Sequence, residues 1–263
     1  MSLHLVRLRP EARRLASFAH MAGLRDAEHD PGYLWHLALR RAFGVIAPQP
    51  FRVFEPDPDR GDDGKRLELL GYARVGENGL RAALASAPAE AASIFPDSGL
   101  GAKALPELFS GGRMLAFSTR VCPIVRTLST DGTRKRELDA FVHVASADPS
   151  APKPERSDVY RDWLASRLAE GGARLVEARL SSFRLTTLVR RRHASPNGRT
   201  PTAEGPPRRL PAQRPRTAAR RPDATLDGLL RIEEPDRFQQ LLAKGVGRHR
   251  AFGFGLLLLR PAG

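Results

Sequence analysis

The chain has a single cysteine, Cys122, among its 263 residues. An internal disulfide is therefore excluded, no zinc site built on several thiolates is available, and a reducing compartment fits. Long apolar runs are also missing. The longest, Leu256 to Leu259, suits a strand, whereas a membrane-spanning helix needs about 20 apolar residues. Met1 to Pro10 carries no apolar core of the kind that marks a signal peptide. A cytoplasmic protein without membrane association is expected. No G-x-S-x-G, P-loop or dinucleotide fingerprint is present. No set of His, Asp and Glu has metal-ligand spacing, and the adjacent Glu28, His29 and Asp30 do not chelate well by adjacency alone. No metal or other cofactor is expected. Acidic residues are scarce beside basic ones: 29 Asp and Glu against 43 Lys and Arg leave a formal charge of +14. That excess favours a polyanionic partner, nucleic acid first, although a genome that uses arginine freely produces the same imbalance.

What is present reads as a β-α-β-β-α-β order met twice. Leu3, Leu5 and Leu8 give a strand that Pro10 ends. Asp30 and Pro31 suit the cap and first position of a helix, and Leu34, Leu37, Ala38 and Ala42 share one of its faces. Phe51 to Phe54 and Leu67 to Val75 read as strands around a turn-rich stretch, Glu55 to Lys65. Gly79 to Ala87 reads as a short helix, and Met114 to Val125 as a strand with Pro123 near its end. In the second half Leu138 to Val144 is strand-like. Ser157 to Glu170 is a helix with Ser157 as its cap, an apolar stripe of Val159, Trp163, Leu164 and Leu168, and Gly171 and Gly172 as its stop. Leu175 to Arg192 and Leu226 to Ile232 read as strands, Pro235 to Lys244 as a helix and Phe254 to Leu259 as the last strand. The expectation is an α+β chain of two tandem ferredoxin-like (RRM-like) domains with antiparallel sheets. They span residues 1–127 and 138–263, with Ser129 to Arg136 as a linker or hairpin loop.

Two segments stand out. Arg190 to Pro222 holds ten arginines, among them Arg190, Arg191 and Arg192, against one acid, Glu204. Rich in proline and poor in apolar side chains, it is expected to be largely disordered alone. It reads either as a solvated insertion or as an arm that orders on RNA phosphates. The second segment, Gly245 to Gly255, has the pattern G-h-G-x5-G-h-G between the last helix and the last strand. Its glycines permit positive φ and a close backbone approach, and its backbone N–H groups can face phosphates. Lys244, Arg248 and Arg250 add charge. Lys244, Gly245, Gly247, Arg248, Arg250 and Gly253 are therefore candidate RNA contacts, against a plain helix-to-strand turn.

With that ending, the helix Asp162 to Leu175 (W-L-x-x-x-L-x-x-x-G-x-x-h) and the strand ending Arg120-Val121-Cys122-Pro123-Ile124-Val125-Arg126-Thr127, the chain resembles the CasE family of CRISPR-repeat-processing endoribonucleases. The strand is similar to the family's R-x-N-P-h-x-T, with Cys122 in place of Asn. The resemblance covers nearly the whole chain except Arg190 to Pro222. It implies two ferredoxin-like domains. It also implies metal-independent cleavage of repeat-containing precursor RNA at the base of a stem-loop, leaving a 2′,3′-cyclic phosphate and a 5′-hydroxyl. Retention of the mature guide RNA and assembly with the other type I-E Cascade subunits are implied too. Tyr33 and His36 fit the family's active-site helix. Positions i and i+3 share a helix face, and histidine titrates near neutrality and can serve as acid or base. Arg41, ahead of Arg40, matches a cation the family often carries for the pentacovalent charge. His20 is the alternative catalytic histidine. The other readings are a non-catalytic RNA-binding subunit of a CRISPR ribonucleoprotein and a generic basic protein; the latter accounts for the charge but not for the motifs.

Overall fold

Val6 and Leu8 set the first strand, β1 (His4–Leu8), against a helical layer, because their side chains are buried there away from water. The structure, a computed structural model, describes residues 2–24, 31–56, 67–128, 135–148, 150, 152–190 and 217–262. After β1 come α1 (Ala12–Met21), α2 (Pro31–Phe43), β2 (Phe51–Phe54), β3 (Glu68–Ala73), α3 (Glu77–Ala85), α4 (Ala89–Ala92) and β4 (Gly101–Ala104). The four strands pair antiparallel in the order β2-β3-β1-β4, the ferredoxin-like order. Helix α1, which the sequence reading left unassigned, buries Leu15, Phe18 and Ala19 in the same core as α2.

The second half consists of β5 (Met114–Val121), β6 (Ile124–Leu128), β7 (Lys135–Asp139), α5 (Ala140–Ala145), α6 (Arg156–Glu170), β8 (Ala173–Arg190), β9 (Thr217–Ile232), α7 (Pro235–Lys244) and β10 (Leu257–Pro261). Its sheet runs β10-β5-β9-β8, and β6 pairs only with β7. Taken in chain order as first to fourth strands, β5, β8, β9 and β10 repeat the arrangement of the first sheet. Both halves of the expected α+β, tandem ferredoxin-like architecture are present.

Several boundaries differ from the sequence reading. Met114 to Val125, expected to close the first sheet, is two strands separated at Cys122 and Pro123. Proline has no N–H for a ladder. Strand β5 belongs to the second sheet, since its alternate residues Leu115, Phe117, Thr119 and Val121 are buried and share a core with Leu226, Leu230 and Leu257. The second sheet therefore starts at residue 114 rather than 138. The first sheet is completed instead by Gly101–Ala104, which has no strand-like alternation. Leu138 to Val144, expected as a strand, is the end of β7 followed by α5. Asp139 forces the change, because its carboxylate accepts a hydrogen bond from the Phe141 N–H (2.8 Å) and caps a helix. Ser157 is not a cap: α6 starts at Arg156, and Glu155 holds the cap position without a side-chain hydrogen bond. The basic stretch begins inside β8 and ends inside β9, where residues 217–222 pair with 185–190. Only 191–216 of it lies outside the described residues.

The two halves meet through one buried and one half-buried polar contact, among others. Tyr72 of β3 donates its hydroxyl to the Leu257 carbonyl of β10 at 2.7 Å, and burial pushes its pKa well up, so it stays a donor. Arg52 of β2 donates to the Ser118 hydroxyl of β5 at 3.1 Å. Among the described residues no helix is long and apolar enough to cross a membrane.

Candidate active site

Helix α2 buries Leu34, Trp35, Ala38, Leu39, Ala42 and Phe43 in the first core. That fixes the helix's rotation and leaves Tyr33 and His36 half-buried on its flank. The residue that covers them comes from the glycine-rich loop. The Phe252 ring lies 6.5 Å from Tyr33, stacked, and 5.7 Å from His36, tilted. It also lies 6.3 Å from His249. The approach is close enough to need glycine in α2 itself, since a Cβ on Gly32 would sit 2.6 Å from the Phe252 carbonyl oxygen. Tyr33 and His36 are thus gathered with Phe252 and His249. Arg41 is not gathered with them: it is exposed and its guanidinium is 3.4 Å from Glu90 of α4. At 3.6 residues per turn it projects about 140° from His36, whereas Arg40 projects about 40° away. The expectation that Arg41 flanks the pair is not met in this arrangement. His20 sits exposed in the last turn of α1.

The loop has a second, basic side. Lys244 ends α7 and Gly245 follows as its cap with φ +79°. Lys244, Arg248 and Arg250 border a cavity of about 600 Å³ together with Arg126, Arg167 and Arg237. The sequence reading reserved the glycines' close approach for RNA, but at Gly247 protein already fills it. With φ +72°, a Cβ there would stand 2.8 Å from the Trp163 ring. Trp163 in turn donates its indole N–H to the Ile124 carbonyl (3.1 Å). Gly253, also left-handed, lies over Phe51 and Arg120. Of the arginines expected in the arm, Arg190 ends β8, and Arg191 and Arg192 lie outside the described residues.

A buried carboxylate ties this loop down. Glu137 of β7 has a side chain only 5% exposed, with Arg221 at 3.2 Å, Arg248 Nε at 3.1 Å and His249 Nε2 at 3.6 Å. His249 itself adopts φ +59°, a conformation that β-carbon-bearing residues rarely hold without such anchoring. The sequence reading singled out neither Glu137 nor Phe252. One signal was available: Glu137 is an acid directly behind the basic run Arg134-Lys135-Arg136, the position of a countercharge.

Beside Phe252, between the two sheets, lies a cavity of about 370 Å³ bordered by Gly32, Arg52, Phe54, Arg120, Arg184, Asp223 and Phe252. Its floor is Asp223, 4% exposed, which accepts hydrogen bonds from Arg120 Nε and Nη2 (both 2.7 Å) and from Arg184 Nε (2.8 Å). Burial alone pushes the carboxyl's pKa up, but the two guanidiniums outweigh it and hold it below the usual carboxylate range. Arg120 also lies over the Phe254 ring at 4.6 Å. Cys122, beside Phe254, is buried and its thiol pushed up to about 12, so it is packing rather than a nucleophile.

Two ferredoxin-like halves, closed around a histidine-bearing helix and a basic C-terminal glycine loop, define the class. A family model described as CRISPR associated protein matches residues 3–261, and the chain belongs to that family. Among solved structures, it is similar to the CRISPR endoribonuclease Cse3 bound to a 19-nucleotide RNA (TM-score 0.60, 18% identity, 99% of this chain and 100% of that one). A Thermus thermophilus Cse3 bound to an RNA representing a pre-cleavage complex gives 0.59 at 18% identity, with 99% and 100% covered. A chain of a pre-nicking CRISPR RNA-guided surveillance complex gives 0.53 at 16% identity, with 98% and 99% covered. No curated protein sequence matches. At these identities the likeness is one of fold, and it agrees with the resemblance to CasE proteins read from the sequence.

Proposed function

We propose that the protein is an endoribonuclease that cleaves CRISPR precursor RNA within its repeats, at the base of a stem-loop, by metal-independent attack of a 2′-hydroxyl. The observation that carries this reading is the packing of Phe252, from the glycine loop, onto both Tyr33 and His36. Attack of the 2′-oxygen on the adjacent phosphorus needs a base for its proton. Departure of the 5′-oxygen needs an acid. Tyr33 and His36 sit on one helix face and can divide those roles. Either assignment balances: one group takes the 2′-proton, the P–O5′ bond breaks, and the other group protonates the leaving oxygen to give a 2′,3′-cyclic phosphate and a 5′-hydroxyl. Arg40 is the better angled cation for the phosphorane charge. Arg41 reaches it only by leaving Glu90, an exposed pair whose loss costs about 0–1 kcal/mol.

Binding falls to the basic side of the loop, through Lys244, Arg248 and Arg250, and to Arg190, Arg191 and Arg192 with the rest of the basic segment. Each phosphate these cations neutralise adds about −0.7 to −0.9 to the slope of log K against log salt. Retention of the mature guide RNA and assembly with other Cascade subunits follow from the same reading. It is supported by the family membership and by similar chains that are described as RNA-bound and as part of a surveillance complex. The deciding experiment is incubation with repeat RNA in EDTA. Cleavage should persist and leave a cyclic phosphate end. Loss of activity in EDTA, restored by a divalent ion, overturns the mechanism, and binding without any cleavage leaves an RNA-holding subunit.

A further inference from the structure

Phe252, which packs on Tyr33 and His36, also borders the 370 Å³ cavity between the sheets, which reaches Gly32 at the start of α2. That volume lies in the range of about 300–1,000 Å³ typical of small-ligand pockets and is far too small for a duplex. Three guanidiniums line it, from Arg52, Arg120 and Arg184, with the carboxylates of Glu55 and Asp223. Asp223 is buried and accepts three hydrogen bonds from Arg120 and Arg184, so it acts as a clamp that orients them. Arg184 gives the clamp only its Nε. Among the described residues its Nη1 and Nη2 meet no hydrogen-bond partner, and its side chain is 66% exposed. The rest of the wall is aromatic and planar: the Arg52 guanidinium lies 4.7 Å over the Phe54 ring, and Phe252 is in the same lining. Unpaired bases stack on aromatic rings and on arginine planes, while a guanidinium with two adjacent N–H groups takes a phosphate bidentately.

We propose that this cavity holds one unpaired nucleotide of the RNA, the one next to the cleaved bond, with its phosphate on Arg184 and its base against Phe54, Arg52 and Phe252. The inference rests on the RNA-cleaving reading of the neighbouring Tyr33 and His36. It adds a reason for the cut to fall where it does. Seating one nucleotide outside the stem fixes which 2′-hydroxyl reaches the pair, so Arg184 is a specificity-determining residue.

The test uses the full chain and two repeat RNAs, one with its single-stranded flanks and one trimmed to the bare stem-loop. Arg184→Ala, an exposed change, should weaken binding of the flanked RNA about tenfold and leave the trimmed RNA unchanged. In the unaltered protein, an abasic nucleotide walked along the flank should weaken binding at one position only, adjacent to the cleaved bond. Equal loss on both RNAs would make Arg184 a general phosphate contact. No loss, or an abasic response that is uniform or absent, also overturns the proposal. Because the unaltered protein is assayed for cleavage in EDTA on the same flanked RNA, failure of the pocket is read separately from failure of the nuclease.

Discussion

The ring of Phe252 lies 5.7 Å from the ring of His36, and this contact joins the last loop of the second half to the helix of the first. The proposed chemistry therefore depends on two elements that fold in different sheets. The same ring reaches Tyr33 and His249.

His36→Ala should slow cleavage by roughly 10²–10⁴-fold, the usual worth of a positioned acid or base. Affinity should stay within about tenfold, since one histidine is a small part of a many-phosphate interface. Single-turnover cleavage and filter binding on one preparation check both. Undiminished cutting would move the chemistry elsewhere, with His20 next to be tested.

Gly247→Val should act on stability rather than on RNA directly. A β-branched residue at φ +72°, with its Cβ 2.8 Å from Trp163, costs about 2–3 kcal/mol or more. At about 2–4 °C per kcal/mol for a chain of this size, Tm should fall by roughly 5 °C or more. Lys244→Ala, an exposed change on the same loop's basic side, should leave Tm alone and flatten the salt slope by about 0.7–0.9. A stable Gly247→Val protein with lost affinity would return that glycine to the RNA surface.

Glu137→Gln separates positioning from binding. Removing the shared countercharge of Arg221 and Arg248 loosens the loop that carries Phe252 but makes the site more positive. Cleavage should slow by more than tenfold while affinity holds or tightens. Weaker binding at a normal cleavage rate would contradict the role given to Glu137.

The Asp223 clamp predicts an acid-sensitive joint across three strands of the second sheet, β5, β9 and β8. Its folded pKa is depressed, so the stabilisation is present above its unfolded value of about 4 and fades as pH falls through the lower folded value. Asp223→Asn leaves two guanidiniums without their carboxylate and should cost roughly 3 kcal/mol at neutral pH. The gap between thermal melts of the two proteins, followed from pH 7 down to pH 3, should narrow toward the acid end. Parallel curves would mean Asp223 does not contribute in this way.

Strong periodicity made the fold legible. The core helices α2, α6 and α7 carry apolar stripes with turn residues at their ends, and the doubled glycine motif marked the last helix-to-strand junction. What stayed hidden was pairing at a distance. Strand β5 looks the same whichever sheet it joins, and β4 (Gly101–Ala104) has no side-chain pattern to betray it. Tyr33 and His36 were legible only through a resemblance, because i, i+3 spacing alone is common on packed helices. Phe252 and Asp223 were invisible for a physical reason: each acts on residues far away in the chain, and a single aromatic or acid carries no period.

Strand β5 is interior to its sheet, yet both of its neighbours come late: Thr119 faces Leu226 on one side and Leu257 on the other. The first sheet, by contrast, closes within residues 4–104. Assembly of the second half therefore needs more than a hundred residues of chain to loop back, a long-range closure of the kind that slows folding. In that interval an alternating apolar strand stands with both edges open, and such edges recruit other chains. Crowded synthesis, rather than loss of any single contact in the finished molecule, is where this protein is most exposed to misassembly.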